Sequence, residues 1–318
     1  MPTLRELLQP LGGVRFVQPT EREDRLSSTS FEATSIDAAV VEGSDFQVKD
    51  VPSLDHSEFS HFLDGAQRSW QAFYRALSPI YLAHTSAAIS ERIERDLLPP
   101  TDDTYLGSLE AYVPDDPELC QALRTKLPVV TIKVGETQPG GYEELVLKAI
   151  SDRRDSLEQA LAQKFGSGKL LIDGGIGKAL RLQGEQAFVV GLVKSHRKQY
   201  FKSAKRTEMI LQMKTGQRSS VFVRAADALQ GESVFSFYLR LHDGEGVNPL
   251  FGIVRIEIPA GDEHLGRVDE IAGWILHERA PLSLPDPRYD RLLYPIRLVE
   301  QYLKSRQPST AAVLGLIG

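Results

Sequence analysis

Two short apolar runs, at 62–63 and 170–172, each end in an Asp-Gly pair. A run of this kind is typical of a buried strand, and glycine allows the chain to turn sharply directly after the acid. We therefore expect Asp64 and Asp173 to lie at strand ends on one rim of a sheet. Two carboxylates that converge there could hold the divalent ions used in two-metal phosphodiester hydrolysis. The alternative for each pair is an ordinary turn.

A third acid lies on the helix that we predict for residues 142–165, just before the second of these strands. Glu158 is flanked by the apolar positions Leu157 and Leu161, so it points at least partly inward. An inward carboxylate is costly to bury unless a cation compensates it. We therefore expect Glu158 to join Asp64 and Asp173 as a metal ligand, and the alternative is an ordinary surface acid.

Basic residues are concentrated between positions 194 and 214, although the whole chain has a net charge of −6. Any contact with nucleic acid must therefore be local. Tyr200 and Phe201 interrupt the basic run and could stack on bases. We predict that this strip holds the phosphates of DNA, and the alternative is a solvated surface segment. The residues expected to bind DNA are Lys194, Arg197, Lys198 and Lys202.

The composition of the 318 residues, 42% hydrophobic and 25% charged, is that of a soluble globular protein with one large domain or two ordinary ones. The single Cys120 excludes an internal disulfide and a cysteine-rich zinc site, which favours a reducing cytoplasm. The N-terminal residues do not combine a basic stretch with an apolar one, so we predict no secretory signal. The apolar stretch 311–318 is too short to span a bilayer, so we expect no membrane partner.

The order of predicted elements indicates an α/β fold with a mixed sheet flanked by helices. Three strand-like runs, 59–64, 70–77 and 79–89, suggest an antiparallel meander, and 96–116 is rich in loop residues. The long helix and the strands 170–172 and 188–193 follow. A ribonuclease-H-like core has this order. The predicted organisation is an N-terminal arm (1–57, partly extended, with a short helix at 4–8), a compact main domain (58–305) and a C-terminal tail (306–318).

Two glycine-rich segments resemble nucleotide-binding loops but do not meet the spacing. The phosphate loop needs a glycine five residues before Gly-Lys and a Ser or Thr after it. Ile172 and Ala179 occupy these positions around Gly177-Lys178, and Gln163 and Leu170 occupy them around Gly168-Lys169. We therefore do not expect this chain to hydrolyse nucleotides.

The ordered set of motifs resembles the NurA nuclease family over about residues 58–305. The motifs are the two Asp-Gly strand ends, the acid-bearing helix, the run Gly191-Leu192-Val193-Lys194, the strand Val254–Pro259 and the pair Tyr294-Pro295. The resemblance implies a manganese-dependent nuclease, with Mg²⁺ as the other candidate ion, that has a ribonuclease-H-like core. It also implies action on single- and double-stranded DNA, a homodimer, and a hexameric HerA ATPase as partner.

The resemblance assigns roles to individual residues. Asp64, Glu158 and Asp173 match the family's acids, Tyr294 matches the catalytic tyrosine of a late Tyr-Pro motif, and Lys194 matches a basic residue after the strand. The sequence also departs from the family pattern in two places.

The first Asp-Gly is followed by Ala66, where the family has Ser. The family also has a His eight residues after the Tyr of Tyr-Pro, and Tyr302 occupies that position here. Tyrosine is a poor neutral ligand for manganese, so this departure predicts a weakened or lost activity. Asp290 or Glu300 could supply an oxygen ligand in its place.

These observations favour a metal-dependent DNA nuclease, exonuclease or endonuclease, that works with a HerA-type ATPase in DNA-end processing or defence against phage. One alternative is a catalytically weakened adaptor of the same fold that binds DNA and the ATPase. Another is an unrelated α/β interaction protein, in which Asp64, Glu158 and Asp173 would not converge.

Overall fold

The computed structural model describes residues 2–22, 38–133, 141–176, 186–195, 200–224, 234–244, 247–282 and 286–318. Its strands are β1 (Val14–Arg22), β2 (Ala38–Val40), β3 (Val48–Asp50), β4 (His61–Arg75), β5 (Ser78–Ile93), β6 (Asp96–Leu97), β7 (Tyr105–Pro114), β8 (Val129–Ile132), β9 (Ser167–Asp173), β10 (Gln186–Val193), β11 (Gln217–Ser219), β12 (Phe222–Arg224), β13 (Val234–Arg240) and β14 (Ile253–Pro259). Its helices are α1 (Leu4–Leu8), α2 (Pro117–Leu123), α3 (Gly141–Lys164), α4 (Ala204–Leu211), α5 (Asp262–Leu265), α6 (Val268–Glu278), α7 (Tyr294–Arg306) and α8 (Thr310–Ile317).

A mixed sheet joins most of these strands, in the order β2-β12-β13-β14-β10-β9-β4-β5-β7-β8. Strands β4, β9 and β10 are parallel, while β5 is antiparallel to both β4 and β7. The chain therefore makes the meander β4-β5-β7, crosses over through α3, and adds β9 and β10 beside β4. The predicted α/β class with helices flanking a mixed sheet is confirmed.

The meander differs in detail from the one that the sequence predicts. The runs 59–64 and 70–77 belong to one continuous strand, β4, because the glycine at 65 keeps an extended backbone and pairs with β5. Positive φ occurs instead at Ala76, where β4 turns into β5. The third strand of the meander is β7, which lies within the stretch 96–116 that we expected to be loop-rich.

Helices cover both faces of the central strands. Apolar residues of α3 pack on one face of β4 and β9, and residues of α6 and α7 pack on the other. Each face holds its own core because side chains alternate between the two faces along a strand. Among the helices that the structure describes, none is long and apolar enough to cross a membrane.

The ends of the chain contribute to the sheet and its second core. The predicted arm contains α1 and three strands, of which β1 pairs with β4, β2 with β12 and β3 with β11. The predicted tail contains α8, whose Val313 and Ile317 pack with Leu4 and Leu8 of α1. Strand β4 therefore contributes to three cores: one under α3, one under α6 and α7, and one beneath α1, α2 and α8.

Candidate active site

The register of the sheet places the two predicted aspartates side by side. Pairing between the parallel strands β4 and β9 extends to Leu63 opposite Ile172. Asp64 and Asp173 are the next residues on the two strands, which lie about 4.8 Å apart in a paired sheet. The expectation that these acids meet at a sheet therefore agrees with the register of the fold.

The local structures of the two Asp-Gly pairs are different. Asp173 is the last residue of β9, and Gly174 has φ +147°, so the chain turns there. Asp64 lies inside β4, with the amide N–H of Gly65 donating to its Oδ1 at 2.8 Å. The prediction that Asp64 ends a strand is therefore wrong, because pairing with β5 carries β4 on past it.

Both carboxylates lie on the face of the sheet that α7 covers. Phe62 and Leu171, two residues before Asp64 and Asp173, belong to the same core as Val299 of α7. Residues two apart on a strand share a face. The two acids are thus directed toward the layer between the sheet and α7.

Lys194 brings a positive charge to this layer. Asp173 pairs with the residue two positions before Lys194, and the Nζ of Lys194 lies 2.6 Å from Oδ2 of Asp173. Burial lowers the pKa of Lys194, but attraction to Asp173 and Asp64 outweighs it and the net pKa is raised. Arg291 fixes the backbone here by donating to the carbonyl oxygen of Lys194 at 2.8 Å. Lys194 is therefore held as a charged partner of the acids.

Asp64 has the strongest electrostatic perturbation of this group. It is only 7% exposed, and burial raises its pKa well above the usual range for aspartate. The negative charge of Asp173 raises it further, and Glu158 and Glu300 add to the effect, while Lys194 opposes it. An ionised Asp64 therefore needs more positive charge than its surroundings provide.

Glu158 approaches from the opposite face of the sheet. Its neighbours on α3, Leu157 and Leu161, pack with Leu63 and Ile172, which alternate with the two aspartates. We expected Glu158 to reach the rim where Asp64 and Asp173 meet. It lies instead behind β4, separated from both aspartates by the strand.

Gly65 makes this approach possible because it has no side chain. A Cβ added to Gly65 would overlap the Glu158 carboxylate and would lie 2.9 Å from Cγ of Arg154. The net pKa of Glu158 is raised to about 8. Burial makes the largest contribution, Asp155 and Asp173 also raise the pKa, and Arg154 lowers it. Nε of Arg154 lies 3.5 Å from Oε1 of Glu158. Glu158 is thus coupled electrostatically to the aspartates across the strand.

Of the two substitutes considered for the missing family histidine, the structure places Glu300 near the acids. Glu300 of α7 raises the pKa of Asp64 and helps to raise that of Lys194. Asp290 is buried elsewhere and accepts a hydrogen bond from the amide of Gly252 at 2.6 Å. The sequence alone does not show which of Glu300 and Asp290 lies near the acids, because this depends on how the strands and helices pack together.

The two tyrosines singled out on α7 have different surroundings. Tyr294 is the first residue of the helix and is 55% exposed. Tyr302 packs its ring edge-on against Tyr105, and its hydroxyl donates to the carbonyl oxygen of Pro100 at 3.4 Å. Within the described residues, these contacts of Tyr302 are therefore with Pro100 and with Tyr105 at the start of β7.

The predicted basic strip is only partly within the described residues. Arg197 and Lys198 lie outside them, and Lys202 is exposed just before α4. Tyr200 and Phe201 are buried in an aromatic cluster beneath β12 and β13, so their rings cannot stack on bases as we expected. Both rings pack against Phe222 of β12, with ring centres 5.5 Å and 5.0 Å away, respectively.

The carboxylate oxygens of Asp64 and Asp173 suit Mg²⁺ or Mn²⁺, because these ions prefer carboxylate ligands. The excess of acids over cations around Asp64 is what such an ion would neutralise. Among the residues that the structure describes, no three His, Cys, Asp or Glu side chains are already gathered closely enough to hold an ion. The cation now in contact with Asp173 is the ammonium of Lys194.

No protein-family model matches the chain, and no curated protein matches it. The likeness to the NurA nucleases therefore rests on the order and spacing of the motifs quoted above. A proposal for function therefore depends on the chemistry of Asp64 and Asp173.

Proposed function

We propose that this protein is a metal-dependent DNA nuclease. The observation that supports it best is the register that places Asp64 beside Asp173, together with the raised pKa of Asp64. Buried acids that repel one another are costly to the fold. A divalent cation removes that cost, so the arrangement favours a cation-binding role over a structural one.

We also propose a ribonuclease-H-like core for the central part of the sheet. The neighbouring strands run β7-β5-β4-β9-β10, with β5 the antiparallel member among β5, β4, β9 and β10. The acids come from the first strand of the meander, from the crossover helix α3 and from the strand that follows it. This order of elements and acids is what the resemblance to NurA implies.

Asp64 and Asp173 would hold Mn²⁺ or Mg²⁺ from one face, and Glu158 would tune their charge from behind β4. A bound divalent ion supplies positive charge that favours attack on a phosphodiester. Helix α7 covers the acids and limits the access of water. Lys194, next to Asp173, would add a positive charge beside a bound phosphate.

The exposed side of α7 and the turn before it provide a surface that suits a DNA strand. Tyr289 is 39% exposed, and the guanidinium groups of Arg288 and Arg297 lie 5.2 Å and 5.7 Å from its ring centre. Tyr294 is exposed one turn before Arg297 along the same helix surface. Aromatic rings interleaved with cations bind bases by stacking and phosphates by charge.

The proposed setting is DNA-end processing or defence against phage, with a HerA-type hexameric ATPase that moves the DNA. The support for such a partner is that neither glycine-rich segment has the spacing of a phosphate loop. The resemblance to NurA adds a homodimer and a cytoplasmic location to this proposal.

The decisive experiment compares Asp64→Asn and Asp173→Asn with the wild type on end-labelled single- and double-stranded DNA in Mn²⁺. We expect each substitution to reduce cleavage by about 10²-fold or more, because each removes a carboxylate from the site. Asp152→Asn is the matched control, since Asp152 is an exposed α3 acid that pairs with Lys148. Undiminished cleavage by either site variant in purified protein would reject the proposal.

A second candidate function is a DNA-binding adaptor without cleavage. The placement of Tyr302 against Tyr105 favours it, because the family's histidine position then offers no ligand to the acids. An adaptor predicts DNA binding with no Mn²⁺ binding, whereas a nuclease predicts both. Isothermal titration of the DNA-free protein with Mn²⁺ separates the two.

A further inference from the structure

Lys194 holds the position of a cation in the acidic site. We propose that its ammonium group is an exchangeable counter-ion, which a divalent cation displaces from Asp173 when it binds. The inference rests on the proposed function in one respect, namely that Asp64 and Asp173 take a divalent ion. It goes further by assigning Lys194 to control of metal occupancy.

The charge balance of the site is the first argument. The ammonium of Lys194 contacts Asp173 at 2.6 Å and is attracted by Asp64 and Glu300 as well. Glu300 is paired with Lys304 at 2.6 Å, so Lys194 is left to compensate both Asp64 and Asp173 in a layer that is mostly shielded from water. This lysine keeps the metal-free acids together, and a doubly charged ion would compensate them more fully.

The geometry of Asp173 is the second argument. Oδ2 of Asp173 accepts a hydrogen bond from the ammonium of Lys194, which therefore occupies one side of this carboxylate. An ammonium and a divalent ion close to the same carboxylate repel each other strongly where water is scarce. Entry of the metal therefore requires the Lys194–Asp173 contact to open.

The surroundings of Lys194 permit this movement. Its backbone is held by Arg291, which also donates to the carbonyl oxygen of Leu250 at 2.8 Å. The Lys194 side chain is 27% exposed, so its long stem has a path to solvent. Lys194 acts as a positioning residue that moves between the acids and the open side of the site, where DNA phosphates would arrive.

The first test measures Mn²⁺ affinity of DNA-free protein by isothermal titration, for wild type, Lys194→Met and Lys194→Arg. We expect Lys194→Met to bind Mn²⁺ about tenfold more tightly, because the competing charge is gone, and Lys194→Arg to stay close to wild type. Asp173→Asn should weaken binding in the same assay. Equal or weaker binding by Lys194→Met would overturn the inference.

The second test needs no substitution and so does not depend on how a variant folds. An amine-reactive reagent labels the wild type in EDTA and in Mn²⁺, and mass spectrometry reads each lysine. We expect labelling of Lys194 to rise several-fold with Mn²⁺, while Lys148, 68% exposed on α3, stays constant. Unchanged Lys194 labelling in protein that binds Mn²⁺ would contradict displacement.

The outcomes separate this inference from the proposed function. If the wild type cleaves DNA but neither the affinity nor the labelling result is found, only the exchange by Lys194 is rejected. If the wild type neither binds Mn²⁺ nor cleaves DNA, the nuclease proposal falls and the exchange falls with it.

Discussion

Asp64-Gly65 and Asp173-Gly174 are the same dipeptide on neighbouring parallel strands, but their surroundings differ. Asp173 ends β9 and has the ammonium of Lys194 at 2.6 Å. Asp64 lies in the middle of β4, nearly inaccessible, and its pKa is raised by burial and by three other acids. The comparison teaches that partners across the sheet, and not the local sequence, decide what each aspartate can do.

The two glycines differ in the same way. Gly174 is needed for its backbone, because φ +147° is a conformation that residues with a side chain rarely adopt. Gly65 is extended and is needed for the space it leaves, which the carboxylate of Glu158 fills from the other face. One glycine makes a turn, and the other admits an acid.

The largest effect that tests this comparison is the pH dependence that Glu158 adds behind Asp64. Its pKa is raised from 4.5 to about 8 in the folded protein, so the protonated form favours folding. Its contribution is fully present below the unfolded pKa and is lost as pH rises through about 8. In EDTA, the free energy of unfolding of Glu158→Gln relative to that of the wild type should therefore increase by on the order of 3 kcal/mol between about pH 5 and about pH 8.

Urea unfolding at both pH values measures this gain. Asp152→Asn is again the control, because Asp152 lies on the exposed side of α3, and its curve should follow the wild type. Parallel curves for Glu158→Gln and the wild type would show that Glu158 does not bear an uncompensated charge.

The next effect is a difference in sign between the two aspartates. In EDTA near neutral pH, Asp173→Asn should destabilise the fold by about 2 kcal/mol, because it leaves the ammonium of Lys194 without its closest partner. Asp64→Asn should instead be neutral or stabilise by about 1 kcal/mol, because it removes a buried charge that others repel. Thermal and urea unfolding of the two variants measure the difference. Equal losses of stability in both variants would contradict the difference in surroundings between Asp64 and Asp173.

The smallest effect concerns the glycines. Gly65→Ala should cost about 1–2 kcal/mol in the wild type and less in a Glu158→Ala background, because its Cβ would compete with the Glu158 carboxylate. Gly174→Ala should cost about 1 kcal/mol in both backgrounds, since its strain is in the backbone. A double-mutant cycle by urea unfolding measures the coupling. Coupling of Glu158 to position 174, or none to position 65, would contradict the assignment.

Much of the fold could be predicted from local patterns. The helix expected at 142–165 is α3 (Gly141–Lys164), and the short helix expected at 4–8 is α1. Both have periodic apolar residues and recognisable ends, and the capping box of Thr3 and Glu6 marks the start of α1. The matched Asp-Gly pairs also pointed to neighbouring strands, because both follow apolar runs that only a sheet interior would bury.

The remaining features depend on contacts between distant parts of the chain. Strand β7 follows prolines and acids that favour a loop, and its pairing with β5 overrides them. Two of the arm's strands, β2 and β3, have only three residues each, so their partners in the sheet define them. Lys194 was assigned to DNA because it begins a basic run, whereas the pairing of β9 with β10 brings it to Asp173.

The packing of α1 against α8 has a consequence for the order of folding. The core beneath these helices joins residues from the two ends of the described chain, Leu4 and Leu8 with Val313 and Ile317. Contacts with such long sequence separation form slowly, and during synthesis they must wait for residues 310–317 to leave the ribosome. The core around Trp70 and Phe73 of β4 is therefore completed only after α8 has been synthesised, although α1 and α2 are present earlier.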